Sequence, residues 1–279
     1  MMPENYRPQR VVSLQPSITV TLRDLGLLDR LVACTRYCLD VCPEIGKQQC
    51  VIVEDSWTAH SDQIMAASPD LVLASVPYQV DSLVEIMKCG VAFVAFAPKS
   101  LADVFADIAA IARLMGAEER GLEVISRMKS EIDSVREATS GAARPLVYCE
   151  EWGKPLILSQ PWVAELTEAA GGKFFGQPGK QVTIEEVAAA DPDVIVAAWC
   201  GAGDRVPLEK IVTRQGWEQT KAAQNGRVYC INDEFLNTPA STLIQGLHAL
   251  AAAIHPETFP TAKGFRRIQC IASLSSASD

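Results

Sequence analysis

From Leu101 to Thr139 apolar residues recur in steps of three and four. They fall at Leu101, Val104, Phe105, Ile108, Ile111, Ala112 and Met115, then at Leu122, Ile125, Met128, Ile132 and Val135. That spacing gathers them on one helical face. It predicts two helices in series, broken at Met115-Gly116-Ala117. The opposite face is charged, with Glu119, Glu123, Arg127, Glu131 and Arg136. Glu123 and Arg127, and Arg127 and Glu131, stand one turn apart and support the helix modestly. The breaker run Ser-Gly-Ala-Ala-Arg-Pro (140–145) ends it. To either side the pattern changes to short apolar runs alternating with helical ones. The chain therefore reads as an N-terminal α/β lobe over 1–100, a connecting helical backbone over 101–140 and a C-terminal α/β lobe over 141–279.

In the first lobe strands are predicted at 10–14, 31–33, 69–74 and 91–96. In the second they are predicted at 145–148, 156–158, 192–197 and 227–231, with an amphipathic helix over 243–254. Residues 34–43, Cys-Thr-Arg-Tyr-Cys-Leu-Asp-Val-Cys-Pro, read as a loop, because a strand precedes them and Pro43 closes them. Met65-Ala-Ala-Ser-Pro-Asp-Leu-Val-Leu-Ala74 is echoed by Ala188-Ala-Ala-Asp-Pro-Asp-Val-Ile-Val-Ala197. Each is a helix end, a Pro-Asp turn and a buried strand, as two similar lobes would show. The fold class expected is α/β: two similar Rossmann-like lobes with mainly parallel sheets, joined by a long α-helix, with a ligand cleft between them. In such sheets ligands lie outside the carboxyl ends of the strands.

Several motifs appear in a telling order. They are Arg10-Val-Val-Ser-Leu-Gln-Pro-Ser17, the segment 31–43, the Ser-Pro-Asp strand, the long helical stretch, Ala169-Ala-Gly-Gly172, the Asp-Pro-Asp strand and Asn225-Gly-Arg-Val-Tyr229. In this order they resemble the substrate-binding proteins of ABC importers for cobalamin and iron–siderophores, the helical-backbone class. The resemblance spans about residues 10–256. It implies a rigid two-lobed receptor, a small-molecule ligand, an ABC permease as partner and no catalysis.

Charge narrows the partners. The 279 residues carry a net charge of −9 and no basic stripe, which argues against nucleic acid or an anionic membrane surface. A small anionic ligand held by one or two arginines is compatible with it. No run approaches the ~20 apolar residues of a membrane span. Residues 1–10 hold no apolar stretch of the signal-peptide kind, which predicts a cytoplasmic location, or a periplasmic one for a chain whose signal has been removed. The nine cysteines are odd in number and fit reduced thiols, with Cys89 and Cys270 read as core residues.

Residues after the predicted strands supply the ligand site: Gln15, Arg36, Tyr37, Trp57, Tyr78, Trp162, Trp199, Arg205 and Phe235. Aromatic walls with a few polar groups suit a flat, largely apolar ligand such as a corrinoid. Arg36 and Arg205 could hold its anionic groups, or could form surface ion pairs. Cys34-x3-Cys38-x3-Cys42 is the sharpest oddity. With Cys200 from the other lobe it could hold a metal ion or an iron–sulfur cluster, since thiolates are soft ligands. It could equally be a set of free thiols, or supply a ligand to corrinoid cobalt. No phosphate-binding glycine loop and no Gly-x-Ser-x-Gly is present. Three functions remain: a receptor for a corrinoid or an iron chelate, a cytosolic metalloprotein or enzyme built on the cysteines, and a chain that kept the fold and lost the ligand.

Overall fold

Runs such as Leu-Val-Leu-Ala and Val-Ile-Val-Ala are apolar on both faces. A strand of that kind is stable only where helices cover both sides of its sheet. The computed structural model, which describes residues 7–47 and 49–268, builds two such sheets. The chain divides into two compact units, 1–127 with 239–241, and 128–238 with 242–279.

The first unit runs β1 (Val11–Ser13), α1 (Pro16–Asp24), β2 (Leu31–Thr35), α2 (Arg36–Val41), β3 (Val51–Val53), α3 (Ser61–Ala66), β4 (Leu71–Ser75), α4 (Val80–Lys88), β5 (Ala92–Phe96), α5 (Leu101–Met115) and the start of α6 (Glu118–Ala138). Its sheet is wholly parallel, in the order β3-β2-β1-β4-β5. Central β1 and β4 are buried along their whole length.

The second unit continues with β6 (Leu146–Gly153), β7 (Leu156–Leu158), α7 (Pro161–Ala169), β8 (Lys173–Phe174), α8 (Ile184–Ala190), β9 (Val194–Ala197), α9 (Leu208–Val212), α10 (Lys221–Gln224), β10 (Val228–Ile231), α11 (Glu234–Asn237), α12 (Leu243–Ile254) and β11 (Phe265–Arg267). Its order is β11-β10-β9-β6-β7, with β8 beside β6. Here β7 and β11 run antiparallel to their neighbours. The α/β class with mainly parallel sheets is as expected.

The break between α5 and α6 falls where predicted. Ser100 caps α5 by accepting from the Asp103 amide, and Gly116 ends it at φ 69°, a left-handed conformation that glycine adopts freely. The buried stripe differs in one place: Leu122 is 65% exposed, and Val124 takes the inward position. The reason is Gly121, where a Cβ would stand 2.4 Å from Ala112 Cβ. Two small residues let α5 and α6 approach closely at that level, and with Gly121 inward the next residue, Leu122, falls off the buried face.

The internal echo is a structural repeat. Ser68 and Asp191 both sit in the left-handed region, at φ 47° and 51°. Each precedes a Pro-Asp pair. The Asp70 carboxylate accepts from the Arg10 amide (3.0 Å), while the Asp70 amide donates to the Arg10 carbonyl (2.9 Å). In the second unit the Asp193 carboxylate accepts from the Leu146 amide (2.8 Å), and the Asp193 amide donates to the Leu146 carbonyl (2.9 Å). Both knots tie the amino end of one strand to the residue leading into its neighbour.

Two expected boundaries are corrected. Residues 36–41 form helix α2 rather than a loop, and β2 extends through Cys34 to Thr35. Strand β6 likewise runs on through Glu150, Glu151 and Trp152 to Gly153, held by pairing with β7.

Candidate functional site

In the first unit the carboxyl ends of the strands carry five of the expected ligand residues. Gln15 follows β1 and stands at the N-cap of α1, half-buried. Arg36 and Tyr37 open α2 directly after β2. Their side chains support each other: the guanidinium donates to the Tyr37 hydroxyl (2.9 Å) and lies 4.7 Å from the ring centroid. Trp57 follows β3 and is 44% exposed. Asp55 fixes its turn by accepting from the amides of Trp57 and Thr58, and the Trp57 carbonyl accepts from Ser82. Tyr78 follows β4, half-buried, with its hydroxyl donating to the Phe96 carbonyl. Burial, then the charge of Asp107, raises the phenol to about 12, so it remains a neutral donor at physiological pH. An exposed indole with a stacked Tyr–Arg pair can hold a flat ligand face and an anionic edge.

The cysteines of this unit do something else. Cys34, Cys38 and Cys42 are each 0% exposed and belong to one apolar core with Val11, Leu22 and Leu73. Cys34 points inward from β2, Cys38 from α2 and Cys42 from the residue that ends α2. Thr35 Oγ1 lies 3.3 Å from Cys38 Sγ, and Arg23 reaches Cys42 Sγ at 3.8 Å. Burial pushes the Cys42 thiol up to about 12 despite Arg23. Among the described residues no group of three or more His, Cys, Asp or Glu side chains is placed to hold a metal ion. Cys200 stands in the second unit, beside other partners. The expected metal or cluster set of Cys34, Cys38, Cys42 and Cys200 is therefore corrected: three of its sulfurs are core atoms. Cys89 is 8% exposed, as a core residue, while Cys270 lies outside the described residues.

The second unit is organised by a carboxylate that no motif announced. Glu150, in β6, is completely buried. Arg214 donates to both its oxygens (2.5 and 2.9 Å), Tyr148 donates its hydroxyl (2.6 Å) and Trp199 its indole N–H (2.7 Å). Four donors and one opposite charge satisfy the ion where water is absent. Burial, then Glu150, pushes the Tyr148 phenol far up, so it stays a donor. Trp199, expected to line the ligand site, is thereby half-buried, with its ring against Gly153; a Cβ there would come within 2.6 Å of the ring.

Beside this cluster Glu151 points the other way. It accepts from Gln160 Nε2 (3.1 and 2.8 Å) and from Cys200 Sγ (3.7 Å). Asn237 donates to Cys200 Sγ (3.2 Å) and to the Ala198 carbonyl (2.8 Å). Burial raises the Glu151 carboxyl, with Gln160 and Cys200 opposing. Cys200 is exposed as a residue, but its sulfur faces Glu151; desolvation of that sulfur and then the carboxylate raise the thiol. Trp152 is 44% exposed at the same strand end. Arg205 is exposed in the glycine-rich turn 199–205, with its guanidinium donating to the Ala202 carbonyl (3.1 Å). Asp233 shapes that turn by accepting from the amides of Gly201 and Gly203, both at 2.8 Å.

Two expected ligand residues turn inward. Trp162 is 4% exposed, and its indole N–H donates to the Leu236 carbonyl (2.8 Å), so its role is packing inside the second unit. Phe235 is half-buried with its ring against Gly264. Glu150, Arg214, Gln160, Asp233 and Asn237 were missed. Their only sequence signal was position after a strand, and Arg214 lacked even that.

Comparison with known proteins now fits this architecture. The chain belongs to the periplasmic binding protein family, whose model matches residues 11–235. It is 27% identical over 266 residues to the ABC transporter substrate-binding lipoprotein YvrC of Bacillus subtilis, covering 90% of this chain and 82% of that one. A cobalamin-binding protein of Halobacterium salinarum is 24% identical over 263 residues, covering 90% of this chain and 70% of that one. Among solved structures, the periplasmic heme-binding protein RhuT of Roseiflexus superposes with a TM-score of 0.78 at 22% identity, covering 90% of this chain and 99% of that one. The YvrC lipoprotein, the periplasmic RhuT and the periplasmic binding protein family itself overturn the expected cytoplasmic location. Residues 1–10 carry no apolar stretch, but that composition decides nothing about compartment. Among the described residues no helix is long and apolar enough to cross a membrane.

Proposed function

We propose that this chain is the substrate-binding component of an ABC importer and that its ligand is a corrinoid or an iron chelate. The observation that carries the reading is family membership over residues 11–235, together with a cobalamin-binding relative aligned along 90% of the chain. The strand ends supply suitable chemistry. Trp57, Tyr37 and Arg36 on the first unit offer a flat apolar face and a cation. Trp152, Gln160, Glu151 and Arg205 on the second offer an indole and mixed polar groups. In this reading Gln15 and Tyr78 belong to the strand-end surface of the first unit, and Trp199 and Phe235 support that of the second from behind. An ABC permease is the protein partner. The chain's own role is binding, without a catalytic step.

Absorption titration and calorimetry with cobalamin, cobinamide, haem and iron–siderophores test this. Saturable binding of at least one of them is expected. If none binds at a Kd on the order of 10 µM or tighter, the assignment is wrong.

A further inference from the structure

The cysteine run absorbed by the core leaves one sulfur at the surface. Cys50 lies just before edge strand β3, partly exposed, and its Sγ stands 3.5 Å from that of Cys34 in β2. Its neighbours Val51 and Ile52 are 41% and 49% exposed, so a reagent can approach from this side of the sheet. Residue 50 lies outside the ladder; pairing of β2 with β3 begins at Ala33 and Val51. Its backbone is therefore free of the strand register that would hold it away from Cys34. We propose that Cys34 and Cys50 form a redox-active pair that closes to a disulfide, fastening the entry of edge strand β3 to β2.

A disulfide needs its sulfurs about 2.05 Å apart, so a shift of roughly 1.5 Å at the coil residue Cys50 completes the bond. The hydrogen bond with Cys34 pulls the Cys50 thiol below its ordinary range, while Cys38 first and then Cys50 push Cys34 up. The exposed sulfur is thus the attacking thiolate and the buried one the resolving thiol. The oxidant is an external disulfide, R–S–S–R. Cys50 thiolate attacks one of its sulfurs, breaking the S–S bond, forming Cys50–S–S–R and releasing one thiolate, RS−. Cys34 then attacks Cys50 Sγ, forming the Cys34–Cys50 bond and releasing the second RS−. The protons of Cys34 and Cys50 end on the two RS− groups. Two protein thiols are oxidised and one external disulfide is reduced to two thiols. Such exchange is routine in the periplasm, the compartment named for several relatives, and rare in the cytosol.

The full-length protein, reduced and freed of reductant, is incubated with glutathione disulfide, blocked with a maleimide, digested without reduction and mapped by mass spectrometry. The expected result is a peptide pair joined through Cys34 and Cys50, with two of the nine thiols lost and both restored by dithiothreitol. Cys50→Ser should retain all its remaining thiols under the same treatment, while Cys42→Ser should still lose two. A bond between Cys34 and Cys38, a stable glutathione adduct on Cys50 with Cys34 free, or no thiol loss would each overturn the proposal. Mapping of the wild-type chain alone decides the matter should a variant fail to fold.

Discussion

Arg214 grips Glu150 through both guanidinium nitrogens, at 2.5 and 2.9 Å, inside the second unit, where the carboxylate has no contact with solvent. The same guanidinium lies 4.6 Å from the centroid of the Trp217 ring. This bond decides how the strand end of β6 presents itself, because Trp199 hangs from the same carboxylate. Arg214→Ala leaves a buried charge with neutral donors only. It should cost about 3–5 kcal/mol in urea unfolding, whereas Glu150→Gln with Arg214→Met should cost clearly less than that single change. Equal costs would mean the ion pair is not the organising contact.

Trp57 and Trp162 should separate binding from stability. Trp57→Ala removes an exposed indole and should weaken a corrinoid or iron-chelate ligand by about 1–3 kcal/mol while the Tm is nearly unchanged. Trp162→Phe removes the hydrogen bond to Leu236 and should cost about 1 kcal/mol of stability with the Kd retained. The opposite pattern in paired calorimetry and melting would reverse their roles.

Asp107 sets a pH dependence. Burial, and then Asp103, raises its carboxyl to about 6 from 3.8. The native chain therefore holds a proton that the unfolded chain has already lost, and stability falls as pH rises through that window. Asp107→Asn removes the loss. Because the group is partly solvated, the gain above pH 6 should be only about 1 kcal/mol. It should vanish below the unfolded value of 3.8, where both forms are neutral. Denaturant curves at both ends of the range check it.

Gly121 should tolerate no side chain. In Gly121→Ala the new methyl meets Ala112 Cβ at 2.4 Å, and overpacking of this kind costs about 1–3 kcal/mol. Helix propensity alone would predict the reverse sign, since alanine favours a helix by about 1 kcal/mol over glycine. The direction of the Tm change separates the two effects.

How far the sequence could be read follows from which forces were local. The α5–α6 break, the parallel strands and the Pro-Asp echo were legible because period, breakers and short repeats are local signals. Leu122 was misplaced because its burial depends on Gly121 meeting Ala112, a contact between helices. Cys34, Cys38 and Cys42 were read as a loop because Pro43 and the preceding strand outweighed the short helical run, yet Cys34 lies in β2, Cys38 in α2 and Cys42 just past its end. Strand β3, which precedes Trp57, was not foreseen, and Trp57 was not distinguished from Trp162: an exposed indole and one that donates to Leu236 have the same letter. The Glu150 cluster was invisible, since Arg214 lies 64 residues from its partner.

The twin knots at Asp70 and Asp193 grip the amino ends of their strands, while every residue offered to the ligand stands at the carboxyl ends. Scaffold and proposed recognition residues thus occupy opposite rims of each sheet. Under the proposed function, exchange of Trp57, Arg36 or Gln160 for other side chains is expected to retune which cargo is accepted while both fastenings stay closed, a route to redirected uptake.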